Sequence, residues 1–158
     1  MLIVADTSAL IAVATCDGLS WLDTLFGSLS VPQAVFDEAI EEGKPQAERL
    51  RHYLSGKVVD IDLNDFIIAA PGLGEGELQA MALYRHSHAE RLLIDDLRAR
   101  KAAQYNGINI IGSAGILLMA KNQGLITSVK PHLDAISKSE VHLGDKLIAE
   151  VLKIAEEF

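Results

Sequence analysis

Three short runs, LIVAD at 2–6, RLLID at 91–95 and INIIG at 108–112, constrain the fold of this chain more than any other feature. Each is apolar on consecutive positions, where a half-buried strand would alternate. A strand that is apolar toward both sides has to be covered on both sides, which points to a parallel sheet between layers of helix. The segments between the runs supply those helices. Thr7 and Ser8, both good caps, open a helix over 8–16 that Asp17-Gly18 ends, and a second is expected around 19–27. LSVP is extended, and Pro32 suits the first turn of a helix running to Glu42. Gly43, Lys44 and Pro45 break it, a helix from 46 to 55 stops at Gly56, and KVVDIDL reads as a strand. Pro71, Gly72, Gly74 and Gly76 form a loop that opens a helix over 75–87. A helix over 97–105 stops at Asn106-Gly107, and others are expected over 114–123, over 128–138 with Pro131 in its first turn, and over 144–157. The last carries Leu147, Val151, Ile154 and Phe158 on one stripe, a core surface first and a dimer or partner surface second. With 158 residues, the expectation is one α/β domain spanning 1–158 around a central parallel sheet.

Composition removes several alternatives. Hydrophobic residues make up 49% and charged residues 23%, too apolar for a disordered chain. The single cysteine, Cys16, excludes an intramolecular disulfide framework and a cysteine-based zinc site, and a cytoplasmic home is expected. MLIVADTSALIAVA lacks the basic start of a signal peptide, and Asp6 interrupts its apolar run. Residues 102–120 are uncharged, but Gln104, Asn106, Gly107, Asn109, Gly112, Ser113 and Gly115 break the run, so no membrane segment is expected. Fourteen bases against twenty-two acids give a formal charge of −8, which argues against a broad, non-specific grip on nucleic acid. The distribution is uneven. Residues 1–43 hold seven acids and no Lys or Arg, whereas 91–130 hold six bases against Asp95 and Asp96.

In an open parallel sheet, ligands bind beyond the carboxyl ends of the strands. Asp6 and the Asp95–Asp96 pair stand at two such ends, and Glu38 and Glu77 fall in early helical turns. If the fold gathers these acids, like charges at close range raise one another's pKa, and a hard divalent cation relieves the repulsion through oxygen ligands. A water acidified by such a cation can attack a phosphodiester. Each acid also has an ordinary reading. Asp6 can cap the next helix, Glu38 belongs to a solvated acidic stretch, and Glu77 suits the helix dipole. Other chemistries fit less well. No GK[ST] follows the glycines at 72, 74 and 76, the five histidines are scattered without an HExxH, and Ser8, Ser113 and Cys16 lack an evident base. Arg98, Arg100 and Lys101 make either a solvated helix face or a contact to phosphate. Eight aromatics are too few to suggest a base-stacking platform.

IVADTSALIAV, VPQAVFDEAI, GEGELQAMAL and LLIDDLRARKAAQYNGINIIGSAGILLMAKNQGLI, taken in order, resemble PIN-domain nucleases, in particular the prokaryotic branch related to VapC-type toxins. The resemblance covers Leu2 to about Pro131. It implies a three-layer sandwich with a central parallel sheet, and a metal-dependent ribonuclease site. By position it implies catalytic roles for Asp6, Glu38, Glu77, Asp95 and Asp96. Asp6, Glu77 and one of Asp95 and Asp96 would hold Mg²⁺ or Mn²⁺, which of the pair being open, and Glu38 would position or deprotonate the attacking water. Ser8 and Ser113 match small polar residues lining the site, and Arg98, Arg100 and Lys101 would flank the RNA path. DDLRAR departs from the Asp-x-x-Phe feature common in PIN toxins, which leaves the fourth ligand open. Toxins of this kind are neutralised by a small antitoxin protein and commonly pair as homodimers. The leading expectation is therefore an endoribonuclease, the toxin of a toxin–antitoxin pair. Against it stand a catalytically weak PIN-fold binding module acting through protein partners, a DNA-directed nuclease of the same chemistry, and a phospho-receiver suggested by LLIDD.

Overall fold

The computed structural model describes residues 1–63 and 72–157. Pro71 of the glycine loop and Phe158 of the last stripe lie outside them. The described elements run β1 (Leu2–Ala5), α1 (Thr7–Thr15), α2 (Leu19–Phe26), β2 (Ser28–Pro32), α3 (Gln33–Ala39), α4 (Ala47–Leu54), β3 (Val58–Val59), α5 (Glu75–His86), β4 (Arg91–Leu93), α6 (Leu97–Tyr105), β5 (Ile110–Ile111), α7 (Ser113–Asn122), α8 (Lys130–Ser137) and α9 (Asp145–Ile154).

The strands form one five-stranded sheet in the order β3-β2-β1-β4-β5, every pair parallel. Its centre is apolar on both faces. Ile3, Val4 and Ala5 on β1, and Leu92, Leu93 and Ile94 at β4, expose no surface, although their side chains alternate between the two sides. That confirms a sheet covered on both faces, an α/β sandwich. β1 pairs with β2 on one side and β4 on the other, so the strand order reverses between β1 and β4. In open parallel sheets such a reversal is where a crevice forms at the carboxyl ends, and Asp6 and Asp95–Asp96 follow β1 and β4 there. The uncharged stretch 102–120 resolves into the end of α6, β5 and most of α7. Among the described residues no single helix is long and apolar enough to cross a membrane.

Three local expectations are corrected. The strand read over 57–63 shrinks to Val58–Val59, because β3 pairs only with β2 and its partners run out at Pro32, where the chain turns into α3. Helix α3 ends at Ala39 instead of Glu42. Glu41 and Glu42 would place negative charge at the negative end of the helix dipole, which favours an early stop. Thr7 and Ser8 do not cap α1. Asp6 occupies the N-cap position without a side-chain cap bond, and both hydroxyls lack hydrogen-bond partners.

The far end of the chain is fastened by Glu157. Its carboxylate accepts bonds from the Ser128 hydroxyl, from the Val129 and Lys130 amides at 2.8 and 3.0 Å, and from Lys121 Nζ at 2.9 Å. It thus caps the start of α8 from outside that helix and ties it to α7. These donors, led by Ser128, hold its pKa down at about 2 against an ordinary 4.5. A depressed carboxylate stabilises the folded state above its unfolded pKa and stops doing so as pH falls through its folded one. Glu157→Gln is therefore expected to melt at a lower temperature than the parent chain at pH 6. The gap should close between pH 4.5 and 2 in thermal melts followed by circular dichroism. A gap independent of pH would contradict the assignment.

Candidate active site

Asp6 forms the floor of the crevice. It follows the central strand directly, its amide donates to the Leu93 carbonyl at 2.8 Å, and it is only 4% exposed. Burial is the main reason that its carboxyl is raised to about 7. The Thr7 amide pulls the other way, and Glu77, Glu38 and Asp96 add repulsion in that order. A repulsion of this kind requires the four carboxylates to share one neighbourhood. Gly76 narrows that neighbourhood further. A side chain at this buried position would begin 2.9 Å from Glu38 Oε2 and 4.0 Å from Asp6 Oδ1, so the absence of a Cβ leaves the room the two carboxylates occupy.

The acids reach the crevice from different elements. Glu38, expected in an early helical turn, comes instead from the last turn of α3, because that helix stops at Ala39, and it is exposed, with α3 packed on α5 and α1. Glu77 lies in the first turn of α5, and its Oε2 accepts the Gly74 amide at 2.6 Å. The helix-start role anticipated for Glu77 is therefore real and leaves its second oxygen for the crevice. Asp96 caps α6, its Oδ2 accepting the Ala99 amide at 2.9 Å. Both helix-capping acids sit where a helix N-terminus offsets part of their charge.

The adjacent pair divides. Asp96 is among the groups that repel Asp6, and Asp95 is not. Asp95 turns toward β5 and α7, where its Oδ1 accepts the Ser113 amide at 2.7 Å while its Oδ2 is buried without a partner. Burial raises its pKa, with Ser113 and the Arg100 guanidinium pulling it back. The buried Ser113 hydroxyl also lacks a partner, as do Thr7 Oγ1 and Ser8 Oγ. The structure thus brings Asp6, Glu38, Glu77 and Asp96 together and sets Asp95 one layer behind them.

One basic residue differs from expectation. Arg100 lies inward, its Nη1 donating to the Ile94 carbonyl at 3.0 Å, so it braces the end of β4 and does not flank an open path. Arg98 and Lys101 are exposed on α6. Gly76 and Thr7 are the positions that reading the sequence for chemistry passed over. One acts through a missing side chain and the other through burial, and neither leaves a compositional signal.

The donor set is all oxygen, and the acids crowd a buried carboxylate that resists ionisation. Both features suit a hard divalent cation. Among the described residues, however, no three His, Cys, Asp or Glu side chains stand close enough together to form a ready cation cage. The carboxylates share a crevice without converging on one point.

The chain matches no curated protein. A protein-family model described as a PIN domain matches residues 2–157, nearly the whole chain. PIN domains are generally nucleases, and their divalent metals fit an oxygen-lined crevice at strand ends. With the parallel sheet, the crevice at its reversal point and that match, the chain belongs to the PIN-domain family.

Proposed function

We propose that this protein is a metal-dependent endoribonuclease that hydrolyses RNA phosphodiesters. The observation that supports this best is Asp6, a buried carboxyl pushed up to about 7 on the floor of a crevice that Glu38, Glu77 and Asp96 share. A protein with no use for ionised Asp6 would gain by replacing it, since an unpaired buried charge is costly. Asp6, Glu77 and Asp96 are the residues that would hold Mg²⁺ or Mn²⁺. When bound, such an ion supplies charge neutralisation at the phosphate and a water acidic enough to attack it. The chain's own part is to position and to move protons. Asp6 is held at the end of the central strand by its backbone bond to Leu93, which fixes where its carboxylate would meet the ion. Glu77 and Asp96, each anchored by one oxygen at a helix start, present the other oxygen without losing further side-chain freedom. Glu38, exposed at the end of α3, would receive the proton of the attacking water. Asp95 supports the site from behind by fixing the start of α7.

The resemblance to VapC-type toxins extends the proposal to a partner. The first 43 residues carry seven acids and no Lys or Arg, and six of the acids, all but Asp6, are exposed, which suits the basic arm of a small antitoxin protein; toxins of that branch commonly form homodimers. A small overlapping reading frame upstream would support this. A second reading, a PIN-fold binding module with little catalysis, is favoured by the lack of a ready cation cage among the described residues and by the capping bonds that occupy oxygens of Glu77, Asp95 and Asp96. Calorimetric titration separates the two. Millimolar Mn²⁺ binding that Asp96→Asn abolishes supports the nuclease, and no binding supports the module.

Cleavage of a single-stranded RNA by the purified chain should require Mg²⁺ or Mn²⁺ and stop with chelator. Glu38→Gln should slow it on the order of 10²-fold by removing the proton acceptor, and Asp6→Asn should abolish it. Asp95→Asn should retain far more activity than Asp96→Asn. Equal losses at 95 and 96 would contradict the division between them.

Asp6→Asn should also stabilise the metal-free chain. A carboxyl whose folded pKa lies above its unfolded value of 3.8 weakens the fold progressively as pH rises from there through 7. The variant should therefore gain on the order of 2–4 kcal/mol at pH 8 in chelator and nothing at pH 3. Thermal melts at the two pH values provide the check, and a destabilised variant at pH 8 would refute it.

A further inference from the structure

Tyr105, at the end of α6, is 80% exposed, more than any other large hydrophobic side chain among the described residues. It lies seven positions from Arg98, two helical turns along one face, with exposed Lys101 between them. α6 buries Ala99 and Ala103 on its opposite side, so this face is turned away from the core. α6 is approached at both ends, at the start by the loop that leads into α5 and at the finish by the last turn of α5. At the start, the Arg98 guanidinium lies against Gly72, in the space a side chain there would take, and Gly72 has a positive φ of 80°. At the finish, Arg85 in the last turn of α5 donates from Nη2 to the Asn106 carbonyl that closes α6. The seam between the helices therefore begins beside Glu77 and Asp96, in the acid crevice, and ends about 10 Å away at Arg85 and Tyr105. In a chain of net charge −8, a seam edged by Arg98, Lys101 and Arg85 and ending on an exposed ring is a distinct surface.

The geometry points to the α5–α6 seam as a track for single-stranded RNA leaving the crevice, with Arg98, Lys101 and Arg85 on its phosphates and Tyr105 under an unpaired base. This rests on the nuclease reading of the crevice and adds what selects the substrate. A ring stacks only on a base whose face is free, so Tyr105 favours single strands over duplex, whereas phosphate contacts by themselves do not discriminate. Arg100, half-buried and on another side of α6 from Arg98, takes no part. The small number of aromatics in the chain is no obstacle, because one ring at the end of a basic path is enough for one base.

Fluorescence anisotropy with labelled oligouridine in chelator, using the Asp6→Asn chain so that nothing is cut, tests the track. Adding Tyr105→Ala should weaken binding roughly 5- to 100-fold, whereas Tyr105→Phe should bind like the parent. Arg85→Ala and Lys101→Ala should each flatten the salt dependence by about 0.7 in slope, and Tyr105→Ala should leave the slope unchanged. A duplex should bind equally with Tyr or Ala at 105. The proposal is overturned if oligouridine does not bind, if Tyr105→Ala binds it unchanged, if Phe fails as badly as Ala, or if duplex binding falls in parallel. Altered oligomeric state in Tyr105→Ala with unaltered RNA binding would instead make this face a contact between copies, which also overturns it. The crevice reading fails separately. If the wild-type chain cleaves no RNA with Mn²⁺ while the binding pattern holds, the nuclease falls and the track stands.

Discussion

Everything in this protein depends on burying Asp6 at the carboxyl end of the central strand. β1 has neighbours on both sides and helices over both faces, so whatever follows it emerges into a dry, enclosed place. An aspartate there is costly as an anion, and its raised pKa records that cost. The surrounding structure shares the strain without removing it. Glu77 and Asp96 are both held at helix starts, where aligned amides favour negative charge. A parallel sheet makes this arrangement natural, because every strand delivers its carboxyl end, and the amino end of the next helix, to the same edge.

The adjacent acids at 95 and 96 show how finely that edge is divided. They are one bond apart in the chain and face different layers. Asp95 holds the start of α7 and is braced by Arg100, which also ties to the carbonyl of Ile94. Asp96 caps its own helix and faces the crevice. The inner acid stiffens the junction of two strands and two helices, and the outer acid inherits a defined position from it. Gly76 does comparable work by having no side chain, leaving space that Glu38 enters from a different helix.

Much of the fold was legible because it rests on local rules. Runs of consecutive apolar residues marked the buried strands, and glycine and proline marked helix ends to within a few residues. The errors came where pairing or charge overrode the pattern. β3 stopped with its partner strand at Pro32, and α3 stopped short of two glutamates. Thr7 and Ser8 looked like caps because hydroxyls at a helix start usually are, yet the backbone placed Asp6 in that position.

For the site, the chain's letters alone placed Asp6, Asp95 and Asp96 at strand ends and Glu77 at a helix start, since that follows from local periodicity and from turn residues, but they put Glu38 in an early helical turn and it lies in the last turn of α3. With one cysteine, no HExxH and no GK[ST], they also pointed away from sulfur, histidine-cluster and phosphate-loop chemistry. Only the tertiary structure decided which acids meet. The order of the strands brings residues 6, 38, 77 and 96 to one neighbourhood, and the Ser113 amide holds 95 elsewhere. It also decided that Arg100 faces inward and that Arg85, from a helix with no sequence link to the basic run, joins its far end. Such choices are set by which surfaces are left to cover once the sheet has assembled, and that is a property of the whole packing, not of any stretch of sequence.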